Sequence, residues 1–271
     1  MSKYIMRVGT WTTSVISGLF TIVPETFFRK CTLFPGASHE VNIIVNRGLV
    51  FLLVMVLVAI LDALYRHCRK SVHIKGKNYN ITVSYEDIFN MSACKKVIPF
   101  DECFSTEVGY EPAQVKPSSI CGQYLMKFPV PHIQSLIEKA QLKPIKGKSK
   151  YNSQERYESG RLVPNGDYLL MAFTKLDEEG LGQMTRDEFL ECLSVLWKEI
   201  DKYYGQIDVC IPVLGSGITR MADNTLTQQE LLDMIIGSYK LSAHKIKAPA
   251  RLQIVCKRRD DFSLNKIGAQ L

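Results

Sequence analysis

Two long apolar stretches dominate the amino-terminal part of the chain. The first covers residues 8–28, and the second contains an unbroken apolar run from Leu49 to Leu61 that extends to about residues 43–65. A helix needs about 20 apolar residues to cross a bilayer. The pattern therefore predicts a hairpin of two membrane spans within a transmembrane region, residues 1–70.

The first stretch is the more polar of the two. Gly18 lies inside it, Pro24 lies near its end, and hydroxyl side chains occur throughout: Thr10, Thr12, Thr13, Ser14, Ser17 and Thr21. A secretory signal peptide is the alternative, but it would need a purer apolar stretch followed by small residues at a cleavage site. Hydroxyl groups and glycine are typical of helices that pack together in lipid, and a row of hydroxyls can also line a pore. We therefore interpret the stretch as a span.

Basic residues set the predicted orientation of the hairpin. Arg66, Arg69 and Lys70 follow the second span directly, and the positive-inside rule assigns such a cluster to the cytosol. Arg29 and Lys30, on the predicted external loop, run against this assignment. The prediction is a multi-pass protein of the cell inner membrane whose carboxy-terminal domain, residues 71–271, lies in the cytosol.

From residue 71 onward the pattern becomes that of an α/β domain. The predicted strands are Val72–Val83 (a strand or hairpin), Val97–Phe100, Tyr168–Phe173, Val209–Leu214 and Leu252–Cys256. The predicted helices are Pro131–Leu142, a helix opened by the capping box Thr185–Glu188 that ends near Gly205, and Gln228–Tyr239. This alternation predicts a mostly parallel sheet that is covered by helices on both faces.

Composition and charge exclude several classes of site. The formal charge of +7 is spread along the chain and forms no block of the kind a nucleic-acid-binding arm needs. The densest basic run, Lys143 to Lys150, is typical of a solvated loop. The 8 cysteines show neither CxxC nor His-paired zinc spacing, so the sequence predicts reduced cytosolic thiols and no metal site.

The most informative stretch is a glycine turn, Gly215-Ser216-Gly217, between the strand that ends at Leu214 and the helix that starts at Gln228. Backbone N–H groups freed by such a turn at the carboxyl end of a strand can bind a phosphate, and Arg220 would add positive charge. An ordinary turn would use the same glycines only for their positive φ, and the residues leave both interpretations open. The stretch is neither a GxGxxG fingerprint nor a Walker loop.

Ligands of parallel sheets bind beyond the carboxyl ends of the strands. If the predicted strands point the same way, this rule brings Asp87, Asp101, Thr174 and residues 215–220 to one crevice. These residues form the candidate site.

Laid out in this way, the domain from residue 71 onward resembles a macro domain, the three-layer α/β/α fold with a mixed, mostly parallel sheet that binds ADP-ribose. The matching pieces are Asp87-Ile88 after the first strand, the strand and loop Val97–Thr106, the strand Tyr168–Thr174, and the run Ile211–Arg220, Ile-Pro-Val-Leu-Gly-Ser-Gly-Ile-Thr-Arg. With the spans in front, the whole chain resembles the membrane-anchored effectors of type II Thoeris antiphage systems.

The resemblance implies roles for individual residues. Asp87 matches the acidic residue that accepts a hydrogen bond from the adenine amino group, although a turn or helix cap is the alternative for it. The expected ligand-binding residues are Asp87, Ile88, Asp101, Leu214, Gly215, Ser216, Gly217, Ile218, Thr219 and Arg220. The family's first glycine-rich loop is replaced by residues 100–106, Phe-Asp-Glu-Cys-Phe-Ser-Thr. Macro-type hydrolases position their attacking water on that loop, so its replacement favours binding over catalysis.

The resemblance also implies a function. Such effectors respond to a nucleotide signal that a partner TIR-domain enzyme makes from NAD, here expected to be histidine-ADP-ribose, and no other cofactor is implied. Asp101 and Glu102 in the replaced loop could meet an amine or cationic group of this ligand. The expected outcome of binding is homo-oligomerisation and membrane disruption, leading to cell death or growth arrest. Two alternatives stay open: a membrane-tethered ADP-ribosyl hydrolase, and an anchor or interaction module with a relic pocket.

Overall fold

The structure is a computed structural model that describes residues 2–29, 35–36, 38–111, 114–217, 220–221, 226–260 and 262–267. The chain divides into two compact units, Met1–Arg69 and Lys70–Leu271. The first unit is helical, and the second is built around a β-sheet.

The first unit consists of the helices α1 (Ser2–Ile22), α2 (Glu25–Arg29) and α3 (His39–Cys68). Pro24, which has no N–H group to continue a helix, separates α1 from α2. The Tyr4 hydroxyl donates to the Ala59 carbonyl oxygen at 3.4 Å, and the Asn46 amide donates to the Phe28 carbonyl oxygen at 2.9 Å. Within this unit, α1 and α3 therefore pack side by side in opposite directions.

Among the described helices, α3 alone is both long enough and apolar enough to cross a membrane. Only 17% of its most apolar stretch is buried, whereas the core helix of a soluble protein would be mostly buried. The hydroxyl side chains of α1 make that helix too polar to qualify by composition. Length and composition thus support one candidate span, where the sequence analysis predicted two. Near the end of α3, Asp62 is ion-paired with both Arg7 and Arg66.

The second unit contains nine strands and four helices among its described residues. The strands are β1 (Ser71–Lys75), β2 (Asn80–Tyr85), β3 (Cys94–Asp101), β4 (Leu162–Asn165), β5 (Tyr168–Leu176), β6 (Gly182–Met184), β7 (Asp208–Pro212), β8 (Arg220–Met221) and β9 (Leu252–Cys256). The helices are α4 (Ile120–Lys127), α5 (Ile133–Lys139), α6 (Arg186–Tyr203) and α7 (Gln228–Leu241). Short 3₁₀ helices occur at Ile88–Asn90 and Leu264–Lys266.

The strands form one mixed sheet in the order β1-β2-β9-β7-β3-β5-β6-β8, and β4 pairs with β5. The consecutive pairs from β2 to β5 in this order are parallel, and so is the pair β6–β8, whereas β1 is antiparallel to β2, and β4 and β6 are antiparallel to β5. The carboxyl ends of β2, β9, β7, β3 and β5 consequently meet at one edge. This arrangement confirms the predicted mixed, mostly parallel sheet.

Each face of the sheet has its own hydrophobic core, because side chains alternate along a strand. On β5, Leu169, Met171 and Phe173 pack into the first core with α6 and α7. Leu170 and Ala172 pack into the second core, which contains α4 and α5. The result is the expected three-layer α/β/α arrangement.

The local signals that predicted helix starts are confirmed. Thr185 and Glu188 form a reciprocal capping box at the start of α6, and Thr227 and Glu230 do the same for α7. The carboxy-terminal strand coincides with β9. The hairpin predicted within residues 72–83 is the antiparallel pair β1–β2.

The short elements were not predicted. Helix α4 has only 8 residues and includes Gly122, so it lacks a long apolar stripe; its start is instead marked by Ser119, whose hydroxyl accepts from the Gly122 N–H at 2.9 Å. Strands β6 and β8 are too short to show a period-2 pattern. The helix predicted over residues 131–142 is shorter, as α5.

Candidate functional site

A cavity of about 1010 Å³ opens at the carboxyl ends of the parallel strands. Its walls come from the segments that follow β2, β9 and β7, from the ends of β3 and β5, and from the start of α4. Asp87, Asp101, Thr174 and Gly215–Gly217 all line it. The crevice inferred from strand order is therefore present, and it contains Asp87, Asp101, Thr174 and Gly215–Gly217 of the predicted set.

The glycine turn follows β7 directly. Gly215 has a φ of +77°, a conformation that L side chains rarely adopt, so glycine is needed there for the backbone alone. Gly217 needs no such conformation, and a Cβ atom built on it would meet nothing within 4 Å. The two glycines thus have different roles: the first makes the turn possible, and the second leaves space open in the cavity.

Asp87 stands at the rim of the cavity, where its side chain is exposed. Its Oδ1 accepts a hydrogen bond from the Phe89 N–H at 3.0 Å and caps the 3₁₀ helix Ile88–Asn90. The capping role that the sequence left open is therefore present. Ile88 also lines the cavity, but its side chain is buried in the second core.

Asp101 ends β3 and faces the cavity. Its Oδ1 accepts hydrogen bonds from the N–H groups of Cys103 at 2.8 Å and Ser105 at 3.1 Å. Burial raises the pKa of the Asp101 carboxyl, and these hydrogen bonds oppose the shift only in part. The cavity wall therefore holds one acid whose charged form is poorly solvated and would be stabilised by a cation.

Glu102 does not accompany Asp101 into the cavity, which corrects the expectation that both acids could meet a ligand. Its side chain is 2% exposed, and Oε1 accepts from the Ser149 hydroxyl at 2.7 Å and from the Leu176 N–H at 3.2 Å. Arg156 lies 3.7 Å from Oε2. Consecutive residues at a strand end point in opposite directions, so Glu102 is directed to a separate polar pocket of about 290 Å³.

Several basic side chains at the cavity were not among the predicted site residues. Lys257, Arg258 and Arg259 line the cavity, as does Lys116 before α4. The guanidinium of Arg258 lies over the Tyr85 ring, 4.7 Å from its centroid. The sequence feature that could have identified these residues as part of the site is their position directly after a parallel strand.

The remaining predicted residues divide into two groups. Leu214 is buried at the start of the glycine turn and lines the cavity. Ile218 and Thr219 lie outside the described residues. The backbone of Arg220 belongs to β8, in register with Gln183 of β6, and its side chain lies outside the described part of the chain.

The thiols around the cavity are poor nucleophiles, because the thiolate is the reactive form. Burial raises the pKa of Cys103 to about 11 and that of Cys256 to about 12, and it raises the pKa of Cys121 well above its usual value. All described cysteines are free. The described residues contain no cluster of His, Cys, Asp or Glu side chains that could hold a metal ion.

Comparison with known proteins gives the site a family context. The chain is 27% identical over 227 residues to the Thoeris protein ThsA of Bacillus amyloliquefaciens (strain Y2), a match that covers 79% of this chain and 73% of that protein. Solved structures similar to it include a variant of the Oceanobacillus iheyensis macrodomain, at 9% identity and a TM-score of 0.48, covering 74% of this chain and 97% of that one. Another is Thermosipho africanus DarTG in complex with ADP-ribose, at 13% identity and a TM-score of 0.44, covering 73% of this chain and 47% of that one.

The family model described as the macro domain of the Thoeris protein ThsA matches residues 81–257. The match begins in β2 and ends directly after β9, so it takes in the strands β3 to β9 and all the described segments that line the cavity except Arg258 and Arg259. The chain therefore belongs to the Thoeris ThsA macro-domain family.

Proposed function

We propose that the cavity binds an ADP-ribose-type signal and that the protein is a receptor and effector of Thoeris antiviral defence. The observation that carries this proposal is the cavity of about 1010 Å³ at the carboxyl ends of the strands, with Asp87 and the glycine turn both on its wall. Ligand pockets typically measure about 300–1,000 Å³, so the space suits a dinucleotide-sized molecule.

The charges on the wall support an anionic ligand with a diphosphate. Lys257, Arg258 and Arg259 follow β9, the neighbour of β7 in the sheet, so they stand beside the glycine turn. Backbone N–H groups of a glycine turn and arginine side chains are both effective donors to phosphate oxygens. Asp87 is an acceptor suited to the amino group of an adenine.

Asp101 supports a ligand that carries a cationic or amine group in addition to the diphosphate. The poorly solvated carboxyl would gain stability from a positive group placed against it. Histidine-ADP-ribose has the required combination of adenine, diphosphate and amino-acid amine. A partner TIR-domain enzyme would supply such a conjugate from NAD.

The effector step would use the first unit. Ligand binding changes the packing or oligomeric state of the protein, and α3, with α1 beside it, then disrupts the inner membrane, which stops growth or kills the cell. A ligand can drive such a change only if it binds the resting and assembled forms with unequal affinity. Exposed apolar side chains along α3 support a membrane location for that helix.

Hydrolysis of an ADP-ribose conjugate is the second candidate function, and one observation favours it. A carboxyl with a raised pKa in a ligand cavity, as in Asp101, is the kind of group that general acid–base catalysis uses. Release of free ADP-ribose from a conjugate, abolished in Asp101→Asn, would establish the hydrolase. A conjugate that is bound and recovered intact would exclude it.

The test of the receptor function is thermal unfolding of the full chain in detergent with ADP-ribose, NAD, histidine-ADP-ribose or no ligand. A ligand at about a hundred times its dissociation constant stabilises the folded state by about 2.7 kcal/mol. We expect the largest shift with the conjugate. The absence of a shift with every adenine nucleotide would refute the receptor function.

The effector step is tested by leakage of vesicles, which should require both ligand and α3. Replacement of residues 49–61 by an unrelated apolar sequence should therefore abolish leakage but not ligand binding.

A further inference from the structure

One face of the hairpin β1–β2 is not covered by any described helix of the second unit. Val72, Ile81 and Val83 point to the first core, whereas neither strand contributes a buried residue to the second. On that second side stand His73 and Lys75, both exposed, and their partners across the hairpin are Thr82 and Asn80. This hairpin face is therefore polar and open.

The hairpin face and its flanks are positively charged without compensation. Lys70, Lys75 and Lys77 are exposed, and no carboxylate of the described residues lies within 4 Å of their amino groups. The chain has no Asp or Glu between Asp62 and Glu86. The uncovered face therefore attracts anions.

The nearest strand neighbours do not neutralise this charge. Gln253, which is in register with Thr82 across the β2–β9 pair, donates a hydrogen bond to Asp208. Asp208 is itself ion-paired with Arg251 at 2.9 Å. Its negative charge is thus already balanced.

The position of the hairpin in the chain restricts what it can face. Helix α3 ends at Cys68 and β1 begins at Ser71, so only Arg69 and Lys70 join the candidate span to the first strand. An extended residue covers at most about 3.6 Å. If α3 crosses a bilayer, Lys70 and the start of β1 cannot leave the headgroup region.

We propose that the polar face of the β1–β2 hairpin rests on anionic lipid headgroups through Lys75, together with Lys70 and Lys77 at the two ends of β1. The proposal rests on the proposed membrane role of α3 and adds a lipid specificity to it. Each lysine near an anionic membrane surface raises the affinity of the protein for that surface by about fivefold. The ordinary alternative is that lysines on the edge strand β1 only prevent pairing with other chains.

The test uses the full chain in nanodiscs of phosphatidylcholine, with or without phosphatidylserine. Hydrogen–deuterium exchange is followed for peptides that cover residues 70–79. We expect exchange there to slow by about fivefold or more when phosphatidylserine is present, and high salt to reverse the effect. The triple variant Lys70→Gln, Lys75→Gln, Lys77→Gln should show no difference between the two lipids.

A matched triple variant controls for net charge. Lys139, Lys143 and Lys247 are also exposed and lie outside the hairpin, and their replacement by Gln should leave the phosphatidylserine effect intact. Equal effects of the two triple variants would overturn the proposal. Equal exchange rates in the two lipid compositions would also overturn the proposal. If carbonate washing leaves that protein in the membrane, the result refutes the lipid contact alone. Protein released by carbonate would refute the membrane role of α3 as well.

Discussion

The guanidinium of Arg259 donates a hydrogen bond from Nη2 to the carbonyl oxygen of Ser216, and the two atoms lie 2.7 Å apart. This contact joins the segment that follows β9 to the glycine turn that follows β7, its parallel neighbour. The C=O and N–H groups of a trans peptide point in opposite directions, so the Gly217 N–H, which shares a peptide with the Ser216 carbonyl, is directed away from Arg259. Arg259 therefore both fixes the turn and brings a positive charge to the cavity.

Arg259→Lys should weaken binding of ADP-ribose-type ligands by about tenfold, because a point charge cannot hold the carbonyl and a phosphate at once. Isothermal titration measures the loss. Arg186, an exposed residue outside the cavity, provides the matched Arg186→Lys control. Equal affinities of the two variants would mean that Arg259 does not act on the ligand.

Gly217→Val should weaken ligand binding while the protein stays folded. The structure leaves open space where the new side chain would stand, so it fills the cavity without strain in the backbone. We expect a loss of about tenfold to a hundredfold in affinity and an unchanged melting temperature. Gly237 has similar open space but lies outside the cavity, so Gly237→Val should bind normally. Unchanged binding by Gly217→Val would remove the turn from the site.

Two substitutions at Asp87 separate its capping role from its proposed ligand role. Asp87→Ala removes both and should cost about 0.5–1 kcal/mol of stability through the lost cap. Asp87→Ser keeps a capping oxygen but is too short to reach a ligand. Both variants should bind adenine nucleotides about tenfold more weakly, whereas only Asp87→Ala should melt earlier. If Asp87→Ser binds as the wild type does, the residue is a cap alone.

The raised pKa of Asp101 predicts a pH-dependent difference in stability. The folded-state pKa of Asp101 lies above the usual value of 3.8. The stability that the protonated carboxyl contributes is therefore fully present below pH 3.8 and is lost as pH rises through the folded-state pKa. Asp101→Asn cannot ionise. It should match the wild type in acid and become the more stable protein as pH rises through this window.

Denaturant unfolding at a series of pH values measures this difference. The matched control is Asp260→Asn, which replaces an exposed aspartate outside the cavity. The same Asp101→Asn protein should bind plain ADP-ribose normally but lose its preference for an amine-bearing conjugate. If the difference in stability between Asp101→Asn and the wild type does not change with pH, burial does not raise the pKa of Asp101.

Glu102→Ala should destabilise the protein by about 1–3 kcal/mol, because the buried Leu176 N–H and the Ser149 hydroxyl would lose their acceptor. Thermal unfolding in detergent measures the change. Glu138 on α5 is exposed, and Glu138→Ala should be neutral. If Glu102→Ala instead bound ligand less well at unchanged stability, Glu102 would belong to the cavity after all.

Elements with strong local signals could be predicted from the sequence. The capping boxes at Thr185 and Thr227 fix helix starts by hydrogen bonds within a single turn, so neighbouring residues alone determine them. The parallel sheet followed from the alternation of strands and helices. Its order brought Asp87, Asp101 and Gly215 together, because ligand sites in such sheets lie at one edge.

The remaining features depend on contacts between distant parts of the chain. Glu102 and Asp101 are adjacent in sequence, yet the partner of one is Ser149, far along the chain, and no local pattern shows which acid faces the cavity. The basic residues after β9 join the site only because β9 lies beside β7.

Most of the described thiols in the second unit are buried, and Cys103 is partly exposed. Cys192 and Cys210 lie within the cores, where maleimide reagents cannot reach them. Cys68, at the last residue of α3, is exposed. A fluorophore attached to Cys68 would lie between the candidate span and the first strand of the domain. Its emission wavelength and anisotropy would then report whether ligand binding in the cavity changes the surroundings of the end of α3.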